Sequence, residues 1–231
     1  MRSARLQALQ SSVAQEVYES IEPTGWQKAV LNHAGLNRRG RKYLDLVFAD
    51  GRTERVMKPP TVLKFADIRD EMATPEYGAW FSAVLTVSHD RSYSYDFNYD
   101  DKPDWGYRHE PSIEDYLADR ESYPRPGDKF PSWYPTLDTF RAELAADLAE
   151  LAEGIDWTQI TVRCVNRDEG ELRFTAELSN GESRILEYDE YESDVDLISK
   201  SSELLGAMFR RGLGRWWAYS VDERGGFEFL E

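Results

Sequence analysis

At 231 residues the chain is about one and a half times the usual domain length, so one large domain and two small ones both fit. Apolar residues at 41% and aromatics at 13% are enough for a core and exclude a disordered chain. With 28 basic against 43 acidic side chains, the net charge of −15 argues against nucleic-acid or anionic-membrane binding by general electrostatics.

From the N-terminus, Met1 to Glu19 has no apolar h-region, and no run long enough to span a bilayer follows anywhere. Neither a signal peptide nor a membrane span is expected, and the expected location is the cytoplasm. Leu6, Leu9, Val13 and Val17 recur at helical spacing and predict an amphipathic helix, closed where Pro23 forbids its continuation. Strand-like alternation follows over Trp26 to Ala34 and Tyr43 to Phe48, then the hairpin pair Asp50-Gly51 and a third strand over Thr53 to Met57. A helix is predicted over about Val62 to Ala73, then a Trp-led strand over Trp80 to Ser88 and an aromatic strand over Tyr93 to Tyr99. In that last strand Tyr95, Phe97 and Tyr99 face one way, towards a core, while Asp96, Asn98 and Asp100 form an exposed polar row. The acidic spacing is no calcium loop, because Asp101 and Tyr107 stand where an EF-hand needs Gly and Glu.

The stretch from Asp100 to Thr136 breaks the pattern. It holds six of the ten prolines, together with Trp105, Tyr107, Tyr116, Tyr123, Trp133 and Tyr134. Within it only Ser112 to Glu121 reads as a helix, with Ser112 as N-cap and Asp115 in the first turn. Prolines limit the freedom of such a segment before binding, and Tyr and Trp dominate protein-interface hot spots. The competing reading buries these rings as a satellite core on the first part of the chain.

From residue 137 the opening pattern returns, shifted by 131. Leu137, Phe140, Leu144 and Leu148 form a helical stripe ending at Gly154, followed by strands over Trp157 to Val165 and Leu172 to Leu178. The turn pair Asn180-Gly181, a strand over Ser183 to Tyr188, a helix over Val195 to Phe209 and strands over Trp216 to Val221 and Phe227 to Phe229 complete it. The expected fold is therefore α+β: antiparallel sheets with helices packed on one face, in two tandem copies of an α-β-β-β-α-β-β unit. Residues 1–100 form the first copy, 101–136 an insert packed on it, and 137–231 the second copy, with the copies expected side by side and their sheets either joined or separate. One asymmetry stands out in the second copy. Between Glu187 and Asp196 six acids run without a basic residue, with Tyr188 and Tyr191 between them.

Catalytic signatures are missing. The chain has no Gly-rich phosphate loop, no G-x-S-x-G elbow and no H-E-x-x-H, and His33, His89 and His109 lie far apart. The single Cys164 excludes an internal disulfide and a thiolate metal cluster, and its place in an apolar-alternating strand predicts a buried, inert thiol. No cofactor or metal is expected.

The run Val13-Ala-Gln-Glu-Val-Tyr-Glu-Ser-Ile-Glu-Pro-Thr-Gly-Trp-Gln-Lys-Ala-Val30 resembles the N-terminus of YezG-like immunity proteins. So do Trp80-Phe-Ser-Ala-Val-Leu-Thr-Val87, Tyr95-Asp-Phe-Asn-Tyr-Asp100 with Trp105, and Pro111, Tyr116 and Pro131-Ser-Trp-Tyr-Pro135. The resemblance covers about residues 10 to 136 and is a pattern of aromatics and turns. It implies a cytoplasmic antitoxin that blocks the active site of a cognate bacterial toxin by stoichiometric binding, the toxin being of NAD-glycohydrolase or nuclease type. It carries over no catalytic residue, so the chain is not expected to be an enzyme. The partner-binding candidates are Asp96, Asn98, Asp100, Asp101, Asp104, Trp105 and Tyr107, then Trp133 and Tyr134, with Tyr188, Asp189, Glu190 and Tyr191 as a secondary group. The residues alone leave two other classes open: an enzyme or small-ligand binder using an acidic cleft between the two copies, and an adaptor domain of a secretion system.

Overall fold

The computed structural model describes residues 4–21, 25–37, 39–60, 64–106, 110–166, 171–188, 197–210 and 218–230, without the side chains of Asn166 and Phe209. In chain order the first half runs α1 (Ala4–Glu19), β1 (Trp26–Leu36), β2 (Arg39–Phe48), β3 (Thr53–Val56), α2 (Phe65–Met72), β4 (Ser82–Ser88) and β5 (Tyr93–Asn98). Next come α3 (Ile113–Ser122) and a 3-10 turn at Gly127–Lys129. The order then recurs as α4 (Leu137–Leu151), β6 (Trp157–Asn166), β7 (Glu171–Leu178), β8 (Ser183–Leu186), α5 (Leu197–Arg210), β9 (Ala218–Asp222) and β10 (Phe227–Leu230). Two antiparallel five-stranded sheets result, ordered β3-β2-β1-β4-β5 and β10-β9-β6-β7-β8. Read from β8 to β10, the second order repeats the first, so the expected α+β layout is present in both halves. The strands form two sheets rather than one joined sheet. A bulge falls at the same place in each, between Trp26 and Lys28 and between Trp157 and Gln159.

By contacts the chain divides into two compact units, Met1–Pro111 with Asp115–Tyr134, and Pro135–Glu231 with Ser112–Glu114. In the first unit, strict alternation sends Ala83, Leu85 and Val87 of β4 to one face. There they meet Leu6, Val13, Ala14 and Val17 of α1, Phe65 and Ile68 of α2, and Trp26, Ala29, Leu31, Leu44 and Leu46 of β1 and β2. Tyr95, Phe97 and Tyr99 pack against the same core, as the alternating pattern requires. The second unit builds its own core from Leu144 and Leu148 of α4, Ile160, Val162, Phe174, Ala176 and Leu186 of the sheet, and Leu197, Leu204 and Met208 of α5. Trp26 is buried, but Trp157 is only half-buried at the edge of its core, and Cys164 is half-buried rather than enclosed.

Helix ends differ from the sequence expectation by a few residues. α1 stops at Glu19, before Pro23, with Ser20 N donating back to the Glu16 carbonyl. The Asp50-Gly51 and Asn180-Gly181 turns close as three-residue loops, with Phe48 N bonded to Arg52 O and Leu178 N to Glu182 O. Gly51 and Gly181 take φ values of 82° and 83°, the left-handed position that such loops reserve for glycine. Among the described residues no helix is long and apolar enough to cross a membrane.

Candidate functional site

On the sheet face turned away from α1 and α2, β5 presents Asp96, and the chain beyond it presents Asp100, Asp101 and Asp104, all exposed. Asn98 organises this stretch. Its Oδ1 accepts from the backbone N–H groups of Asp100 (3.0 Å) and Asp101 (2.8 Å), and its Nδ2 donates to Ser82 Oγ (2.9 Å) and the Asp101 carbonyl (2.8 Å). All four groups engage one short amide, so the turn after β5 is held in one shape. Trp133 Nε1 donates to the Asp100 carbonyl at 2.6 Å and clamps it from the other side. Asp104, with its side chain 73% exposed, accepts from Gly106 N (2.7 Å) and lies 3.4 Å from Arg41 Nη1. Gly106 has φ 67°, and a Cβ there would meet Arg41 Nη1 at 1.7 Å, so the guanidinium passes directly over the glycine. A 90 Å³ pocket opens beside Asp104, against Asn32, Arg41, Tyr43 and Ser82.

Beneath this acidic rim the rings of the insert are interior. Trp105, Tyr116 and Tyr134 are 3%, 3% and 4% exposed and pack with Ala34, Leu36 and Phe81, with Trp133 and Phe130 half-buried alongside. Ala34 and Leu36 belong to the opposite alternation class from Leu31, so β1 contributes to both cores at once. Trp133 meets Phe81 edge-on at 4.8 Å, and Tyr134 meets Tyr116 edge-on at 5.1 Å. Trp105 and Tyr134 therefore support the surface and offer it no contact area, because burial has already removed them from solvent. This is the satellite core that the sequence left as the competing reading.

Sequence reasoning missed what holds the insert down. Arg69 of α2 and Asp119 of α3 form a buried bidentate pair, Nη1 to Oδ1 at 2.7 Å and Nη2 to Oδ2 at 3.1 Å, with side chains 3% and 4% exposed. Arg69 Nε donates to the Trp80 carbonyl (2.8 Å), and Asn37 N at the end of β1 donates to Asp119 Oδ1 (2.6 Å). The guanidinium also lies 4.3 Å from the centre of the Tyr123 ring. Burial, and then a hydrogen bond to Asp70, push the Tyr123 hydroxyl up to about 12. Burial also raises the Tyr116 and Tyr134 hydroxyls far above their usual value. Tyr134 donates to the Tyr116 carbonyl at 2.7 Å. Further along, Arg125 donates to the Ala79 carbonyl (2.7 Å) and lies 4.7 Å from the centre of the Phe81 ring. A usable signal did exist. Arg69 stands four residues after Phe65, and Asp119 three after Tyr116, so each charge sits on the apolar stripe of its helix.

Of the remaining candidates, Tyr188 is half-buried against the second core, 5.8 Å from Phe174, and its hydroxyl accepts from Leu197 N (3.2 Å) at the start of α5. It is thus a helix-capping and packing residue. Tyr107, Asp189, Glu190 and Tyr191 lie outside the described residues. His33 is half-buried, stacked on Phe65 at 4.4 Å, with its pKa lowered to about 4 by burial and then by Lys42 and Arg69. Among the described residues no group of three His, Cys, Asp or Glu side chains could hold a metal ion. What the arrangement offers chemically is a fixed row of carboxylates on a stiff support.

Compared with known proteins, the chain matches no family model and no curated protein.

Proposed function

We propose that this protein is an immunity protein that neutralises a cognate bacterial toxin by covering its active site, and that the first unit carries the contact surface. The observation that carries the proposal is the rigid acidic row of Asp96, Asp100, Asp101 and Asp104 on a chain of net charge −15. A nuclease groove is basic because it binds phosphates, and an acidic rim fits it by charge. Long-range attraction then raises the association rate by about 10- to 1000-fold at low salt. Preorganisation by Asn98, Trp133 and the Arg69–Asp119 pair lowers the ordering cost that usually subtracts from affinity. The resemblance to YezG-like proteins supports the same reading and extends it to NAD-glycohydrolase toxins, where the rim would close over the dinucleotide site. The mechanism is occupancy, with no catalytic residue and no cofactor, and the expected compartment is the cytoplasm, where the toxin acts.

Co-expression with the product of the adjacent gene tests this, read by size-exclusion chromatography and growth rescue. A 1:1 complex that restores growth is the expected result. The triple variant Asp96→Lys, Asp100→Lys, Asp101→Lys should fold normally and lose rescue. Rescue undiminished in that variant would remove the acidic row from the interface.

A further inference from the structure

Among the described residues, four hairpin turns close with the same hydrogen bonds. Their closing pairs are Phe48 with Arg52, Ser88 with Ser92, Leu178 with Glu182 and Asp222 with Gly226. Each needs one residue in the left-handed region, and three use glycine: Gly51, Gly181 and Gly225, with φ between 78° and 83°. The β4–β5 turn alone uses a side-chain-bearing residue, Arg91 at φ 69°. A non-glycine residue there costs about 1 kcal/mol, so its side chain is the place to look for a use.

Arg91 reaches the mouth of a 220 Å³ pocket between α1 and the β4–β5 hairpin. Ala14 and Val87, both buried, form its floor. Tyr18 and Tyr93 form its walls, and each ring is propped by another: Tyr18 edge-on to Trp26 at 5.6 Å, Tyr93 edge-on to Tyr95 at 6.0 Å. Tyr93 remains 41% exposed, the accessibility of a ring with one face free. Glu19, at the last residue of α1, lies on the rim, its Oε1 accepting from Gln15 Nε2 at 2.8 Å. Arg91 lies 4.9 Å from the centre of the Tyr18 ring and, among the described residues, has no carboxylate within 4.0 Å. Opposite charges thus share one pocket without pairing, with an aromatic slot and an apolar floor between them. The volume exceeds the ~150 Å³ of a cavity that holds a benzene ring.

We propose that this pocket binds a free aromatic amino acid, its carboxylate on Arg91, its ammonium on Glu19 and its ring between Tyr18 and Tyr93. Guanidinium and carboxylate match as a two-point hydrogen-bonded pair. The negative end of the α1 dipole reinforces Glu19 as the ammonium site.

Calorimetric titration of the full chain with L-phenylalanine, 3-phenylpropionate and phenethylamine separates the contributions, since the last two keep the ring and one charge each. L-phenylalanine should bind at millimolar concentration or better, and each single-charge analogue at least about tenfold more weakly. Arg91→Gly should weaken L-phenylalanine by about tenfold or more while leaving the melting temperature equal or higher, because glycine is what the other three turns carry. Glu19→Gln should weaken it similarly. No binding of L-phenylalanine, equal binding of either analogue, or binding unchanged in Arg91→Gly would each overturn the proposal.

Discussion

Replacing Asp119 with alanine asks whether the buried ion pair is what seats the insert on the first unit. In the native protein the carboxylate receives hydrogen bonds from both terminal nitrogens of Arg69 and from Asn37 N, with both charged side chains at most 4% exposed. Alanine would leave the guanidinium in the interior with the Trp80 carbonyl and the Tyr123 ring, and Asn37 N without its acceptor. Breaking one side of such a pair costs about 3–5 kcal/mol, and an orphaned amide about 1–3 kcal/mol more before water enters and the site relaxes. An overall loss of about 4 kcal/mol is expected, a large share of the ~5–15 kcal/mol that stabilises a typical domain. Replacing both partners together, Arg69→Met with Asp119→Leu, removes the stranded charge and should restore at least half the loss. Because Arg69→Met alone also strands a buried charge, the coupling energy in the cycle is then at least about 2 kcal/mol in magnitude. Since the chain has two compact units, whole-molecule melting is a poor readout, and amide exchange at Leu31 and Leu85, paired across β1 and β4, under rising urea reports on the first unit alone. A loss below about 1 kcal/mol in Asp119→Ala, or single effects that simply add in the double variant, would refute the argument.

Two further perturbations distinguish core from rim. Trp26→Ala should cost about 3–5 kcal/mol because the ring is 3% exposed, whereas Trp157→Ala at the half-buried equivalent should cost less than about 2 kcal/mol. Chemical denaturation with the reverse order would contradict the burial pattern. His33 makes the first unit acid-sensitive. Its folded pKa, about 4, lies below the unfolded 6.5, so the unfolded chain binds the extra proton first. Its contribution is intact above pH 6.5 and falls by up to about 3 kcal/mol as pH drops to about 4. His33→Gln should flatten the stability profile over that window in urea titrations at several pH values, and an unchanged slope would show that other groups carry it.

Much of the architecture could be read from the chain before any coordinates. Alternation in Ala83, Leu85 and Val87, the helical stripe of Leu6, Val13 and Val17, and the Asp50-Gly51 and Asn180-Gly181 turns are local patterns, and local periodicity dictates which face is apolar. The exposed row of Asp96 and Asp100 followed from the same alternation. Errors arose where a residue's fate depends on what covers it. Trp105 and Tyr134 resemble interface anchors in the sequence, since an aromatic among prolines and acids reads identically whether its neighbour is a partner or Phe81 of the same chain.

The sequence by itself determined the α+β class, the same order of elements in both halves, the acidic surface and the polar row along β5, because these depend on neighbours two to four residues apart. Only the tertiary structure decided that the insert folds back as a second small core, that Asn98 is a structural wedge, and that Arg69 meets Asp119. It also decided that Arg91 and Glu19 share a pocket. Asn98 aside, each of these joins residues dozens of positions apart in the chain, and no local pattern encodes the loop closure that brings them together.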